Sequence, residues 1–290
     1  MKGVTLLLCT DMDRTIIPNG AEPEDAEARP RLQQLARRAD VRLVYVSGRD
    51  ISRVDAAIAE FALPQPDFVI SDVGTSLHHR EGGTWQAHDD WTAHIAADWG
   101  GVTAPQLMSS IVPLVKEVPG VIAQEDDRQS AYKASFYTPV EMNTGLLPVL
   151  TAQLLAAGLR CNLVWSIDEP AQRGLLDVLP ARASKLHAIR YLQGWLDVAD
   201  AQLVFAGDSG NDMEVLVSEI NAVLVRNASP QVREVALERS RDNGSLAALY
   251  LAQGMAGMNG NYAAGVIEGV LHFVPALHDF WRHERISNDS

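Results

Sequence analysis

Four carboxylates, one hydroxyl and one lysine stand out because each follows a short apolar run or opens a helix-period stretch. Asp11-Met12-Asp13-Arg14-Thr15 comes directly after the run Val4–Cys9. Two carboxylates two residues apart at a strand end can point into one cleft, and keeping them together costs free energy unless a cation neutralises them. A polar turn or a helix cap would use the same residues. The second acidic group is Gly207-Asp208-Ser209-Gly210-Asn211-Asp212, after the run Leu203–Ala206. Asp208 and Asp212 are four apart, so a turn at a helix start can aim both at one ion. The alternative is a glycine-rich turn with Asp212 as cap. Oxygen-only ligands suit a hard divalent cation, and Mg2+ is the expected one because it keeps waters and takes few carboxylates.

Ser47-Gly48-Arg49 follows the run Leu43–Val46 and precedes the helix-period stretch Ile51–Phe61. A hydroxyl with backbone N–H groups at a helix N-terminus is an anion site, and the same residues also make an N-cap. Lys185 opens the stretch Lys185–Leu196, with Ser184 before it as cap. A lysine in a first helical turn opposes the macrodipole, so an anionic ligand explains it better than the helix does. A carboxylate nucleophile, a second carboxylate, a Mg2+ site, a hydroxyl and a lysine form the set that phosphoryl transfer to an aspartate requires. The cations cancel the repulsion between carboxylate and phosphate.

Elements must bring these residues together. Val4–Cys9, Leu43–Val46, Phe68–Ile70, Leu203–Ala206 and Ala222–Val225 are continuous rather than alternating apolar runs, as in strands buried on both faces of a parallel sheet. Helix-period stretches lie between them, including Pro30–Arg38 with a proline suited to a first helical position. The repetition predicts a doubly wound α/β core, with polar strand ends converging in one cleft. Glu81-Gly82-Gly83 breaks the pattern. Beyond it lie Trp85, Trp91, Trp99 and Trp165, four of the six tryptophans, and alternating stretches at Gln129–Tyr137 and Leu159–Trp165. This predicts an inserted α+β domain over 84–172, with linkers near 82–84 and 168–174. The core then comprises 1–83 and 173–290, its strand pattern resuming at Leu175–Leu179. The polar tail after Trp281 is expected to fray.

The length of 290 residues suits two domains. Net charge is 24 − 37 = −13, which excludes a nucleic-acid or acidic-membrane surface. Cys9 and Cys161 cannot form a disulfide framework or a four-thiolate zinc site, and Cys9 reads as a small buried hydrophobe. The first apolar stretch ends in acid rather than a cleavage site, so no signal peptide is expected. No other run approaches the roughly 20 residues of a membrane span. A cytoplasmic protein without nucleic-acid or membrane partners is expected; oligomeric state is not legible.

The ordered stretches DMDRT, VYVSGRD, ASKLHAI and AGDSGND resemble the four motifs of the haloacid-dehalogenase (HAD) superfamily of phosphatases. The resemblance implies an aspartyl-phosphate on Asp11, with Asp13 as general acid–base. Ser47, Gly48 and Lys185 would hold phosphate. Asp11, Asp13 through its backbone carbonyl, and Asp208 would bind Mg2+, with Asp212 in support. The insert corresponds to a type-C2 cap. A finer resemblance is to the sucrose-phosphate phosphatase subgroup, through Asp72–Thr75, Tyr132–Tyr137, Gly174–Leu192 and Asn261–Phe273. Arg14 and Leu186 stand where glycine is usual in the superfamily.

The expected function is Mg2+-dependent hydrolysis of a sugar phosphate in carbohydrate metabolism, sucrose 6-phosphate or a related disaccharide phosphate. A phosphosugar mutase and a receiver-like phosphoacceptor are the competing readings. Substrate contacts are expected from Arg49, Gly74, Thr75, Lys133, Ser135 and Asn211, with Arg128 and Gln129 as further cap candidates. The cap tryptophans read as core more than as a sugar platform.

Overall fold

Continuous apolarity leaves the first strand no face to solvate, and every residue of Leu6–Thr10 is buried. The structure, a computed structural model, describes residues 4–142, 144–168, 171–255 and 257–278. The tail after Trp281 lies outside them. In chain order the elements are strand β1 (Leu6–Thr10), helix α1 (Ala28–Ala36), β2 (Val41–Val46), α2 (Ile51–Glu60), β3 (Phe68–Ser71), β4 (Ser76–Glu81), β5 (Thr84–Ala87), α3 (Asp89–Ala96), α4 (Ala104–Val115), β6 (Ile122–Ala123), β7 (Ala134–Thr138), α5 (Leu147–Ala156), β8 (Cys161–Asp168), β9 (Arg173–Pro180), α6 (Lys185–Trp195), β10 (Leu203–Gly207), α7 (Met213–Leu216), β11 (Asn221–Leu224), α8 (Pro230–Asp242), β12 (Leu249–Leu251) and α9 (Ala263–Phe273). The chain divides into two compact units. One holds residues up to 46, 55–68 and those from 192 on; the other holds 47–54 and 69–191.

The first unit contains five parallel strands in the order β12-β11-β10-β1-β2. Strand order reverses beside β1, which has β2 on one side and β10 on the other, so a crevice is expected at its carboxyl end. Register carries the pattern further: Thr10 lies opposite Ala206, and Asp11 N–H donates to the Ala206 carbonyl at 2.8 Å. Residues following β1 and β10 therefore emerge side by side. Helices α7 and α9 pack on β10 and β11, and α1 packs on β2 and α9. Helix α1 begins at Ala28, so Pro30 sits at its third position rather than its first. That position is still tolerated, because the first-turn N–H groups lack helical acceptors. Cys9 is fully buried, which pushes its thiol pKa up.

In the second unit, β3, β4 and β5 are neighbours, and β4 and β5 pair antiparallel with Glu81 opposite Thr84. Gly82–Gly83 is thus a two-residue hairpin turn, not a linker. A separate antiparallel sheet has the order β6-β7-β9-β8. Strand β9 was expected to resume the parallel core after a linker at 168–174; instead it pairs with β7 on one edge and β8 on the other. The physical signal is alternation: Leu176 and Val178 are buried while Leu175 and Asp177 are not. One face of this sheet is covered by α4 and α5 through Ile111, Val115, Leu150, Leu154, Phe136 and Leu176. Strand β7 starts at Ala134, later than the alternation from Gln129 suggests, because Asp126–Arg128 forms a 3-10 turn. Trp99 belongs to this core, Trp165 packs against it, and Trp91 is buried elsewhere in the unit. Trp85 lies half-buried beneath the Arg80 guanidinium. Among the described residues no helix is long and apolar enough to cross a membrane.

Candidate active site

The parallel register of β1 and β10 delivers Asp11 and Asp208 to one place, and a 3-10 turn at Gly210–Asp212 folds Asp212 back onto it. One ligand atom from each of the three carboxylates lies within 4.8 Å of the others, and all three residues are buried. Asp212 Oδ2 accepts hydrogen bonds from the N–H groups of Asp208 (3.1 Å) and Ser209 (3.2 Å). It therefore braces the loop that carries Asp208 instead of capping α7. Gly207 makes this approach possible, since a Cβ there would lie 2.6 Å from Asp212 Cγ. The Thr15 hydroxyl lies 3.4 Å from Asp11 Oδ2 and 3.3 Å from Asp208 Oδ1, and its single proton serves one at a time. Arg14 Nε lies 3.5 Å from Asp208 Oδ2. Buried carboxylates at this spacing repel, and an all-oxygen donor set is one that a hard divalent cation fits.

Asp13 stands apart from the three-acid group. It is half-buried, and its Oδ1 accepts from Asn19 Nδ2 at 2.8 Å. The loop after β1 folds around the Met12 carbonyl, which accepts from the N–H groups of Thr15, Ile16 and Ile17. Arg14 adopts φ 58° within it. Its N–H donates to Asn19 Oδ1 at 2.8 Å, its carbonyl accepts from Asn227 Nδ2 at 2.6 Å, and Asn227 Oδ1 accepts from Tyr262 N–H at 2.8 Å. Asn19 and Asn227, which support the Arg14 backbone, were missed by pattern reading, whereas Tyr262 lies in the stretch Asn261–Phe273 singled out above. The only sequence signal for Asn227 was its place at the end of the Ala222–Val225 run. Asn211, the remaining candidate in this unit, accepts from the Ser209 hydroxyl at 3.1 Å.

Ser47, Gly48, Arg49, Gly74, Thr75, Lys133, Ser135 and Lys185 fall in the second unit. Ser47 is buried, and its hydroxyl oxygen accepts from Arg49 N–H at 3.1 Å. Asp50, not Ser47, caps α2, accepting from Arg53 N–H at 3.0 Å. The segment Asp72-Val73-Gly74 turns with three consecutive positive φ values, 51°, 60° and 101°. It is held by Asp72 N–H to the Arg49 carbonyl (2.9 Å), Val73 N–H to the Ser47 carbonyl (3.0 Å) and Trp91 Nε1–H to the Gly74 carbonyl (3.1 Å). Thr75 closes the turn on the Asp72 carbonyl at 3.0 Å. A Cβ at Gly74 would lie 2.3 Å from the Ser184 carbonyl carbon and 2.7 Å from Lys185 N. The turn therefore packs backbone to backbone on the start of α6, where Ser184 Oγ accepts from His187 N–H at 3.2 Å and Lys185 is buried. Ser47, Gly74 and Lys185 are brought together.

Lys133 is also buried. Its Nζ donates to the Arg128 carbonyl at 2.9 Å and lies 3.5 Å from Asp72 Oδ1. Ser135 donates its hydroxyl proton to Asp177 Oδ1 at 2.5 Å. Burial pushes Asp72 up to about 6 against the opposing pull of Lys133, and burial also raises Asp177. Gln129 uses its amide on the Gln124 and Ser135 carbonyls and on Ser135 N–H, so it holds its own loop. The half-buried Asp177 joins the buried Asp72, Lys133 and Ser135 in one polar cluster, and it had no sequence signal beyond interrupting an apolar run.

A family model described as sucrose-6F-phosphate phosphohydrolase matches residues 4–274. A HAD-like hydrolase of Nitrosococcus oceani is 46% identical over 272 residues, 93% of this chain and 72% of that protein. A mannosylfructose-phosphate phosphatase of Agrobacterium fabrum is 32% identical over 270 residues, 92% of this chain and 96% of the relative. Among solved structures, a sucrose-phosphatase of Synechocystis in complex with sucrose and phosphate superposes with a TM-score of 0.74 at 24% identity. That match covers 93% of this chain and 98% of the other, and it is a likeness of fold. A match running through nearly the whole sequence, over a core whose strand ends gather the acids, makes the chain a member of the sucrose-6F-phosphate phosphohydrolase family of HAD-superfamily phosphatases.

Proposed function

We propose that this protein hydrolyses the phosphate monoester of a sugar, sucrose 6-phosphate or a related disaccharide phosphate, through an aspartyl-phosphate on Asp11. The observation that carries the reading is the gathering of Asp11, Asp208 and Asp212 within 4.8 Å of one another. Those carboxylates, with the Asp13 carbonyl, would hold Mg2+, which when bound offsets the repulsion between carboxylate and phosphate and stabilises the transferring group. Asp11 attacks phosphorus as the bond to the sugar oxygen breaks, and Asp13 delivers its proton to that oxygen. Asp13 then takes a proton from water, whose oxygen attacks the phosphorus and releases orthophosphate from Asp11. The Ser47 hydroxyl, the Gly48 N–H and Lys185 hold the phosphoryl oxygens through charge-assisted bonds.

The inserted domain, whose sheet is β6-β7-β9-β8 and does not include the hairpin strand β5, acts as a cap that chooses the leaving group. Arg49, Gly74, Thr75, Lys133, Ser135 and Asn211 supply the sugar contacts. Support for a disaccharide comes from the family description and from the Agrobacterium relative, a mannosylfructose-phosphate phosphatase. Such a substrate puts the reaction in the cytoplasm, where phosphorylated sugars are retained.

The test is phosphate release from a panel of mono- and disaccharide phosphates, with Mg2+ and with chelator. Disaccharide phosphates should give the highest kcat/KM. Asp11→Asn should lower kcat by about a thousandfold or more, the loss typical of a removed nucleophile. Near-normal turnover in that variant would overturn the nucleophile, and a clear preference for monosaccharide phosphates would overturn the substrate class.

A further inference from the structure

Arg14 carries a long charged side chain at φ 58°, a conformation that glycine adopts at no steric cost and other residues adopt only when the surroundings enforce it. Here they do. Asn19 takes its N–H and Asn227 takes its carbonyl. The side chain donates from Nη2 to the Asn227 carbonyl at 3.3 Å, which orients the guanidinium so that Nε lies 3.5 Å from Asp208 Oδ2. Asn227 is itself fixed by Tyr262 N–H. The positive charge is thus pre-organised against one member of the three-acid group, with a side chain only 20% exposed.

We propose that Arg14 is a resident counter-ion of this cluster. Its guanidinium neutralises Asp208 when no divalent cation is bound and competes with the cation for that carboxylate, so Arg14 sets the metal affinity of the site. The inference rests on reading the cluster as a Mg2+ site. Of the three acids, Asp212 has its Oδ2 satisfied by backbone N–H groups, and the Thr15 proton can serve Asp11 or Asp208 but not both. Arg14 sets a positive charge against the buried Asp208 carboxylate, a countercharge of the kind that offsets the cost of burying it. A divalent ion on the same carboxylate meets a positive charge in close proximity, and that repulsion acts at a low effective dielectric with partial solvent screening.

The experiment is titration of Mg2+ into the full chain without substrate, followed calorimetrically, for wild type and for Arg14→Gln, Arg14→Gly and Arg14→Lys. The Gln and Gly variants should bind Mg2+ about tenfold more tightly, as expected when one like charge is removed nearby. Arg14→Lys should stay within about threefold of wild type. Without Mg2+ the Gln variant should melt at a lower temperature than wild type, and added Mg2+ should close the difference. Arg14→Gly suits the left-handed backbone and keeps the test open if Arg14→Gln fails to fold. A merely structural arginine would leave Mg2+ affinity unchanged or weaken it on removal, and either outcome in both neutral variants overturns the inference. A wild-type chain that takes up no Mg2+ overturns the metal reading beneath it.

Discussion

Asp72 shows how one buried group ties stability to pH. Burial raises its carboxyl from 3.8 to about 6, although Lys133 draws it the other way. The folded chain therefore retains a proton that the unfolded chain has already lost over the interval between those values. Stability from this group is present at about pH 4, declines as pH rises toward 6, and is level above that. Asp72→Asn should remove the slope. The difference in unfolding free energy between variant and wild type should change by up to about 3 kcal/mol across the interval, each pKa unit counting about 1.4 kcal/mol. Denaturant unfolding of both chains at pH 4, 5, 6 and 7 measures it. Parallel pH dependences in the two chains would show that Asp72 ionises as an ordinary surface acid.

The turn at Asp72–Gly74 works as an element because its backbone is packed on the first turn of α6. An alanine methyl at Gly74 would stand 2.3 Å from the Ser184 carbonyl, and a backbone atom cannot rotate away as a side-chain tip can. Left-handed φ at the same residue adds to the strain. Gly74→Ala should displace the start of α6 and Lys185 with it, destabilising the chain by about 2 kcal/mol and weakening inhibition by orthophosphate about tenfold or more. Mg2+ affinity should remain at the wild-type value, because Asp11, Asp208 and Asp212 stand on other elements. A loss of Mg2+ affinity matching the loss of phosphate affinity would refute the assignment. This element also marks the limit of what was legible in the residues. Buried strands announce themselves by unbroken apolar runs, and their polar ends led to Asp11, Ser47 and Asp208 directly. Strand β9 was harder to place, because LLDVL passes for another core run until its partners expose the period-two alternation around Asp177. Gly82–Gly83 was misread because a hairpin turn and a linker use the same residue types. Asn19 and Asn227 escaped notice since their role depends on backbone conformation at Arg14, which no spacing encodes; Tyr262 lay in the noted stretch Asn261–Phe273, but its bond to Asn227 did not show there.

At the scale of the whole molecule, a net charge of −13 makes carboxylate repulsion a general burden, and the three-acid group concentrates it in one unit. A ligand that binds the folded chain stabilises it by RT ln(1 + [L]/Kd), about 2.7 kcal/mol at a hundredfold excess over Kd. All three candidate metal ligands belong to the unit formed by residues up to 46, 55–68 and those from 192 on, whereas the antiparallel sheet belongs wholly to the other. Mg2+ at that excess should therefore raise the melting temperature by about 5–11 °C, each kcal/mol counting about 2–4 °C for a unit of this size, and the increment should belong to the parallel-sheet unit. Hydrogen exchange separates the two units within one sample. With Mg2+ added, amides of β1 and β10 should exchange more slowly, while those of β7, β8 and β9 hold their rates if the units open independently. Asp208→Asn should abolish the Mg2+-dependent protection at β1 and β10, because the amide removes one anionic ligand without changing size. Equal slowing in both units would mean that they open as a single cooperative block, with metal binding at one strand end stabilising the entire chain. Slowing confined to the antiparallel sheet would place the cation on acids other than Asp11, Asp208 and Asp212.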